Sequence, residues 1–300
     1  MSITNKKLLY FLLLLVSLIW GSTFVVMKMI AKESSPFLTV FLRTAIGSLC
    51  FGIALYVSKQ KYPLKKPDIP LFFLLGLLGN SSFMLIQMNA MSYTYASHGS
   101  MLIVLAPIIA TLIACFLGWQ AVRSHIVLGL GLAFLGAFFL LYPELSGRNS
   151  GGNVLLGDAL IVISAVFWAS FTLLGKKVMS RYPPFVAVAY TNFFAFVQLV
   201  LFLIFDFSRF PQYMGELSAM SWHTWISIIH LGVFASFFAY IVWYEGVHVI
   251  GPVKTSTFQY FNPLVGSLAA LIFLGENLTL MFFLGGLLII SGVFLVNRSR

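Results

Sequence analysis

Charge is scarce in this chain. Only 9% of its 300 residues are Asp, Glu, Lys or Arg, against roughly a quarter in soluble domains. Together with 60% hydrophobic residues and a mean hydropathy of +0.98, this excludes an ordinary water-soluble fold. Acid is scarcer still. Glu33, Asp68, Glu144, Asp158, Asp206, Glu216, Glu245 and Glu276 are scattered, so a membrane-embedded enzyme finds neither paired carboxylates nor a metal cluster. The two cysteines, Cys50 and Cys115, lie inside apolar runs without metal-ligand spacing and read as small packing residues. No serine has a His/Asp arrangement around it, and no phosphate-cradling glycine loop precedes a lysine, which argues against an ATP-driven pump in this chain. The net charge of +10 has no basic face to go with it, so nucleic acid is not a partner. No cofactor and no metal site is implied.

Long apolar runs are plentiful. Ten can be marked, at roughly 8–30, 36–57, 70–91, 97–118, 125–142, 156–179, 184–205, 223–244, 252–274 and 279–297. About 20 residues of helix cross a hydrocarbon core of about 30 Å. Helix is the natural choice, because a lipid-exposed backbone must satisfy its own hydrogen bonds. The N-terminus, with Lys6 and Lys7 ahead of Leu8–Trp20, imitates a signal peptide, but Trp20-Gly21-Ser22 has a partner later in the chain and reads as part of the repeated body. If loops alternate between two sides, thirteen Lys and Arg residues collect with the N-terminus. Only Lys28, Lys32, Arg148 and Arg209 fall opposite, and Arg43 lies inside a span. This bias expects both termini in the cytoplasm of a cell inner-membrane, multi-pass protein.

The chain repeats itself. Trp20 matches Trp168, Lys28 matches Lys176 and Pro36 matches Pro184, at an offset of 148. Gly76 matches Gly232, Pro107 matches Pro263, Gln120 matches Glu276, Gly129 matches Gly285 and Gly136 matches Gly292, at an offset of 156. The offset grows because the loop after Phe205 is longer. Five spans per repeat is an odd number, so the second repeat enters the membrane inverted, the usual build of secondary transporters. The expected organisation is a first five-helix repeat over 1–146, a Gly/Ser/Asn-rich linker over 147–156 and a second repeat over 157–300.

These pieces resemble the ten-helix EamA-type transporters of the drug/metabolite transporter superfamily. The resemblance rests on Trp20-Gly21-Ser22-Thr23-Phe24, Arg43, Tyr93-Thr94-Tyr95-Ala96, Pro107, Phe167-Trp168-Ala169, Pro263, Leu274-Gly275-Glu276 and the Gly285 to Gly292 spacing, in order over essentially the whole chain. One departure is Trp119-Gln120 where the second repeat has Gly275-Glu276. The fold implied is an all-α membrane protein of ten transmembrane helices in two inverted five-helix repeats. The function implied is export of small metabolites such as amino acids by alternating access. A multidrug or nucleotide-sugar carrier of the same superfamily is the alternative, and a non-transporting scaffold a remote one. A homodimer contact through the fifth and tenth helices is a further implication, besides the lipid bilayer and a small-molecule substrate as partners.

Polar residues inside spans are costly in lipid and tend to face a cavity or a neighbouring helix. The candidates for substrate contact are Trp20, Asn80, Gln87, Trp168, Tyr190, Asn192, His230, Thr255, Gln259 and Asn262. Helical spacing places Asn80 and Gln87 on one face, Thr255, Gln259 and Asn262 on another, and His230, Phe234, Phe237, Ile241 and Glu245 on a third. The competing reading of each polar residue is an interhelical tie. Proton coupling would rest on His230 and Glu245. Glu276 reads as a loop or helix-end residue. Arg43, Pro107 and Pro263 are read as gating or structural, the prolines because each removes a backbone bond and bends its helix.

Overall fold

The structure, a computed structural model, describes residues 6–58, 62–145, 153–250, 255 and 257–297, and every regular element among them is helical. Eight helices are long and apolar enough to cross a membrane, and two shorter apolar helices complete the set of ten. They are α1 (Lys6–Ile30), α2 (Pro36–Ser58), α3 (Lys66–Met91), α4 (Ala96–Phe116), α5 (Ser124–Leu145), α6 (Val154–Met179), α7 (Pro184–Phe205), α8 (222–250), α9 (Phe258–Leu274) and α10 (Leu280–Asn297). The seventh span falls where the hydropathy puts it, and the sixth begins two residues earlier than expected. Most of the expected linker, 147–152, lies outside the described residues, as do 252–254 and 256 of the expected ninth span.

Local chemistry sets the helix ends. Pro36 opens α2 and Pro184 opens α7, where a missing N–H costs nothing. Gly118 and Gly275 close α4 and α9 in the left-handed region, at φ of 70° and 66°.

Four helices change pitch along their length, in pairs related by the repeat. In α3 the residues Leu77–Ser81, and in α8 Leu231–Phe238, form π-helix. In α4 a 3-10 turn at Ile103–Leu105 precedes Pro107, and one at Thr257–Tyr260 leads into α9 ahead of Pro263. Pro107 has no N–H to give the carbonyl of Ile103. The N–H of Ala106 bonds that carbonyl instead, which tightens the turn. Breaks on matching helices of both halves give the molecule the two-fold plan of two inverted five-helix repeats.

Helices α5 and α10 stand beside this core and pack on each other. A Cβ on Gly136 would lie 2.6 Å from the carbonyl oxygen of Gly285, and one on Gly129 would lie 2.7 Å from that of Gly292. The two glycine grooves therefore face each other within one chain. The opposite faces, with Leu128, Phe134, Phe138, Leu287 and Phe294, are exposed.

Both ends of the bundle are clamped by repeat-related contacts. On the face away from the termini (the distal face), Glu33 accepts hydrogen bonds from Thr224 Oγ1 at 2.6 Å and the Ser221 amide at 3.0 Å. On the terminal face, Arg181 pairs with buried Asp68, and Tyr182 donates to Asp68 at 2.9 Å. Glu33 corresponds to Arg181, and Thr224 to Asp68. The same two positions are tied in both halves, with the carboxylate at Glu33 on one face and at Asp68 on the other.

Candidate functional site

A cavity lies at mid-depth where α1, α2, α3, α4, α6, α8 and α9 converge. It holds about 770 Å³ of atom-free space, its open mouth included. Its wall is aromatic on several sides: Trp20 and Phe24 from α1, Phe83 from α3, Trp168 from α6, Tyr240 from α8 and Tyr260 from α9. The polar members are Thr23, Arg43, Gln87, Gln259 and Asn262. Ile103, Val104, Ala106 and Pro107 complete it, so the broken turn of α4 is part of the wall.

The aromatic part is held rigidly. Trp20 donates its indole N–H to the Ala235 carbonyl at 3.0 Å. The Ala235 carbonyl lies in the π-helical stretch of α8, where wide pitch leaves carbonyls with spare acceptor capacity. Trp20 packs edge-on to Tyr240, with ring centroids 5.7 Å apart, and Trp168 packs on Phe83 at 5.1 Å. The two tryptophans related by the repeat thus meet the same cavity through Tyr240, whose ring lies 6.1 Å from that of Trp168.

Among the described residues, Arg43 is the one charged residue in the wall, and it is 6% exposed. Its Nε donates to Ser236 Oγ at 2.7 Å, which fixes the plane of the guanidinium. The planar fork then has its terminal nitrogens for a carboxylate or another oxyanion. Asn262 carries the complementary group: its side-chain oxygen is buried and has no hydrogen-bond partner among the described residues. An orphan acceptor in such a place costs about 1–3 kcal/mol unless a donor meets it.

Of the residues singled out from sequence, Trp20, Gln87, Trp168, Gln259, Asn262, Arg43 and Pro107 line this cavity. Others stand elsewhere. Asn80 donates to Asn192 Oδ1 at 3.4 Å, and Asn192 donates to Ser48 Oγ at 2.7 Å, forming a buried tie between α2, α3 and α7. The shared face expected for Asn80 and Gln87 is not found. The π turn at Leu77–Ser81 adds a residue to the turn and rotates Asn80 toward α7. Tyr190 donates to the Tyr62 carbonyl at 2.7 Å, on the terminal side. His230 packs its ring 5.5 Å from Phe234 and is not in the wall. The stripe drawn from it toward Glu245 is displaced by the same cause: after the π-helix of α8, Tyr240 and not Ile241 meets the cavity. Thr255 is fully buried, with its Cγ2 3.1 Å from a Cβ built on Gly246. Pro263 is buried beside the wall.

Sequence reasoning missed the aromatic wall residues Phe24, Phe83, Tyr240 and Tyr260. In a chain with 16% aromatics no spacing marks four of them, and only their repeat-mates' neighbourhood could have pointed there.

Comparison with known proteins fits this architecture. The family model described as "EamA-like transporter family" matches twice, over residues 7–142 and 155–298. An "Uncharacterized transporter" of Archaeoglobus fulgidus is 28% identical over 94% of this chain and 95% of its own length. A "Probable amino-acid metabolite efflux pump" of Salmonella typhimurium is 24% identical over 95% of this chain and 93% of its own. A solved crystal structure shares the fold with a TM-score of 0.62 at 18% identity, over 97% of this chain and 96% of that one. With ten apolar helices in two repeats around a shared cavity and a family match spanning both halves, the chain belongs to the EamA-like transporter family and is a membrane transporter, not an enzyme.

Proposed function

We propose that this transporter exports small zwitterionic metabolites of the amino-acid class by alternating access, with both termini in the cytoplasm. One observation carries the reading. A fixed guanidinium and an orphan buried carbonyl oxygen share one mid-depth cavity walled by aromatic rings. The guanidinium suits a carboxylate, the amide oxygen suits an ammonium, and the rings suit an apolar or aromatic side chain. The Salmonella relative's name supports the substrate class. The excess of Lys and Arg on the terminal side supports the orientation, and outward export is then movement from the terminal to the distal face. A multidrug carrier of lipophilic cations would want a carboxylate in the cavity, and none of the described residues that line it is acidic. A nucleotide-sugar carrier would want more than one cation for a diphosphate.

Trp20 and Trp168 make the cavity its own reporter. Titrating the purified protein with single amino acids should quench tryptophan fluorescence saturably for a subset of them. Trp168→Phe should lose most of that signal, and Arg43→Gln should shift it to higher concentration. Quenching that is identical in Arg43→Gln would remove the carboxylate anchor from the account.

A further inference from the structure

The two faces of the bundle are tied by unequal chemistry. At the distal face, Asp158 in the first turns of α6 is 1% exposed. It accepts hydrogen bonds from Thr94 Oγ1 and from His98 Nδ1, the latter at 3.0 Å. Lys28 on α1 donates to the Thr94 carbonyl at 2.6 Å. Glu276, beyond α9, reaches back and accepts from the Ala96 amide at 2.7 Å, the Ser97 amide at 3.0 Å and Ser97 Oγ at 2.6 Å. Thr94, His98, Ala96, Ser97 and Lys28 belong to the first repeat, Asp158 and Glu276 to the second. The cluster therefore crosses from one half to the other on two separate elements, both bearing on the start of α4.

The repeat predicts what stands in the same place on the terminal face. Asp158 corresponds to Tyr10 and Thr94 to Ile250. Tyr10 instead stacks on Phe258, with ring centroids 6.0 Å apart. Lys28 corresponds to Lys176 and His98 to Lys254, but neither carboxylate has an acidic counterpart, since Glu276 corresponds to Gln120. The clamps at Glu33 and Asp68, by contrast, are formed on both faces at once, so they hold parts that need not separate.

Helix packing agrees. On the distal side the first half of α4, Ala96–Leu102, packs against α9 and α1, and a Cβ on Gly266 would lie 2.4 Å from Ser100 Cβ. On the terminal side the two spans part: Ala106–Phe116 packs on α6 and α10, while the 3-10 turn of α9 packs on α1. The bend of α4 at Pro107 divides these two behaviours.

We infer that Asp158 with Thr94 and His98, together with Glu276 on the first turn of α4, is the latch that holds the cavity shut at the distal face, and that substrate leaves only when this latch comes apart. The inference rests on the transport reading, but its test does not need transport. Replace Cys50 and Cys115 with serine, and introduce Ala106→Cys in the cavity wall as the only thiol. Label with a membrane-impermeant maleimide from the distal side of oriented vesicles. The latched protein should react slowly. Asp158→Asn should raise the distal rate by at least about tenfold, the scale of one lost charged hydrogen bond, with Glu276→Gln acting in the same direction. Thr94→Cys with Asp158→Cys, bridged by a short bifunctional thiol reagent before Ala106→Cys is labelled through a reversible protecting step, should hold the distal rate at or below the latched value. If Asp158→Asn folds poorly, the Glu276→Gln and bridged variants still decide. Distal labelling unchanged by loosening, or undiminished by bridging, overturns the latch. Normal gating without saturable amino-acid binding would instead overturn the substrate reading and leave the latch standing.

Discussion

Arg43 sits where a charged group is expensive. A lone arginine at the centre of a membrane helix costs about 2.5–3.5 kcal/mol on insertion scales, and among the described residues its hydrogen-bond partner is the neutral Ser236. That cost is reasonable if a substrate oxyanion completes the site. Arg43→Gln should therefore raise the apparent KM for zwitterions by about tenfold or more, the worth of a charge-assisted hydrogen bond, while an amine lacking the carboxylate is affected little. Kinetics on the matched pair of substrates read this out. Asn192 gives the contrast. It ties α7 to Ser48 and Asn80 away from the cavity. Asn192→Ala should lower the melting temperature, consistent with interhelical bonds worth about 0.6–2 kcal/mol, and leave KM near its original value. The residues legible in sequence were those whose partners lie close along the chain or in the repeat, such as Trp20 and Trp168. Asp158 and His98 were not legible as a pair. They are 60 residues apart and nothing in either local pattern points to the other.

Elements carry the next level of the account. Apolar run length located the ten spans, but the shared faces drawn on them assume 3.6 residues per turn throughout. The π-helical stretches in α3 and α8 break that assumption, which is why Asn80 parted from Gln87 and Tyr240 replaced Ile241. Prolines were read as kinks, and the 3-10 turns before Pro107 and Pro263 are how those kinks are built. The seven-residue glycine spacing shared by α5 and α10 sets the two helices against each other, glycine face to glycine face. Gly136→Leu should be costly, because its first side-chain carbon would already overlap the Gly285 carbonyl. Overpacking on this scale costs about 1–3 kcal/mol, seen as a lower melting temperature in detergent. The distal clamp gives a pH signature. Hydrogen bonds from Thr224 and Ser221 hold Glu33 below the usual glutamate range. The folded state favours the carboxylate, so this stabilisation is present above the unfolded value of about 4.3 and is lost as pH falls through the lower folded value. Melting curves of Glu33→Gln should differ from the parent at neutral pH and merge with it in acid. A constant offset across that range would show that the clamp does not depend on the charge.

At the scale of the whole molecule, two inverted halves share one cavity and differ in how each end is tied. The halves were evident from sequence because matching prolines, glycines and tryptophans keep their spacing over 148 or 156 residues. The inequality of the ends was not, because it appears only when Asp158 and Glu276 are seen bearing on the same turn of α4. The cavity chemistry and the carrier architecture make one joint statement, that a zwitterion held by Arg43 is moved across the membrane. Counterflow in proteoliposomes tests it most directly. Vesicles are preloaded with a single unlabelled amino acid selected by tryptophan quenching, and entry of the labelled form is followed for the parent protein and for Arg43→Gln. Saturable entry above protein-free vesicles, strongly reduced in Arg43→Gln, is the predicted result. Folded protein that gives no entry with any quenching ligand, or entry indifferent to Arg43, would contradict it.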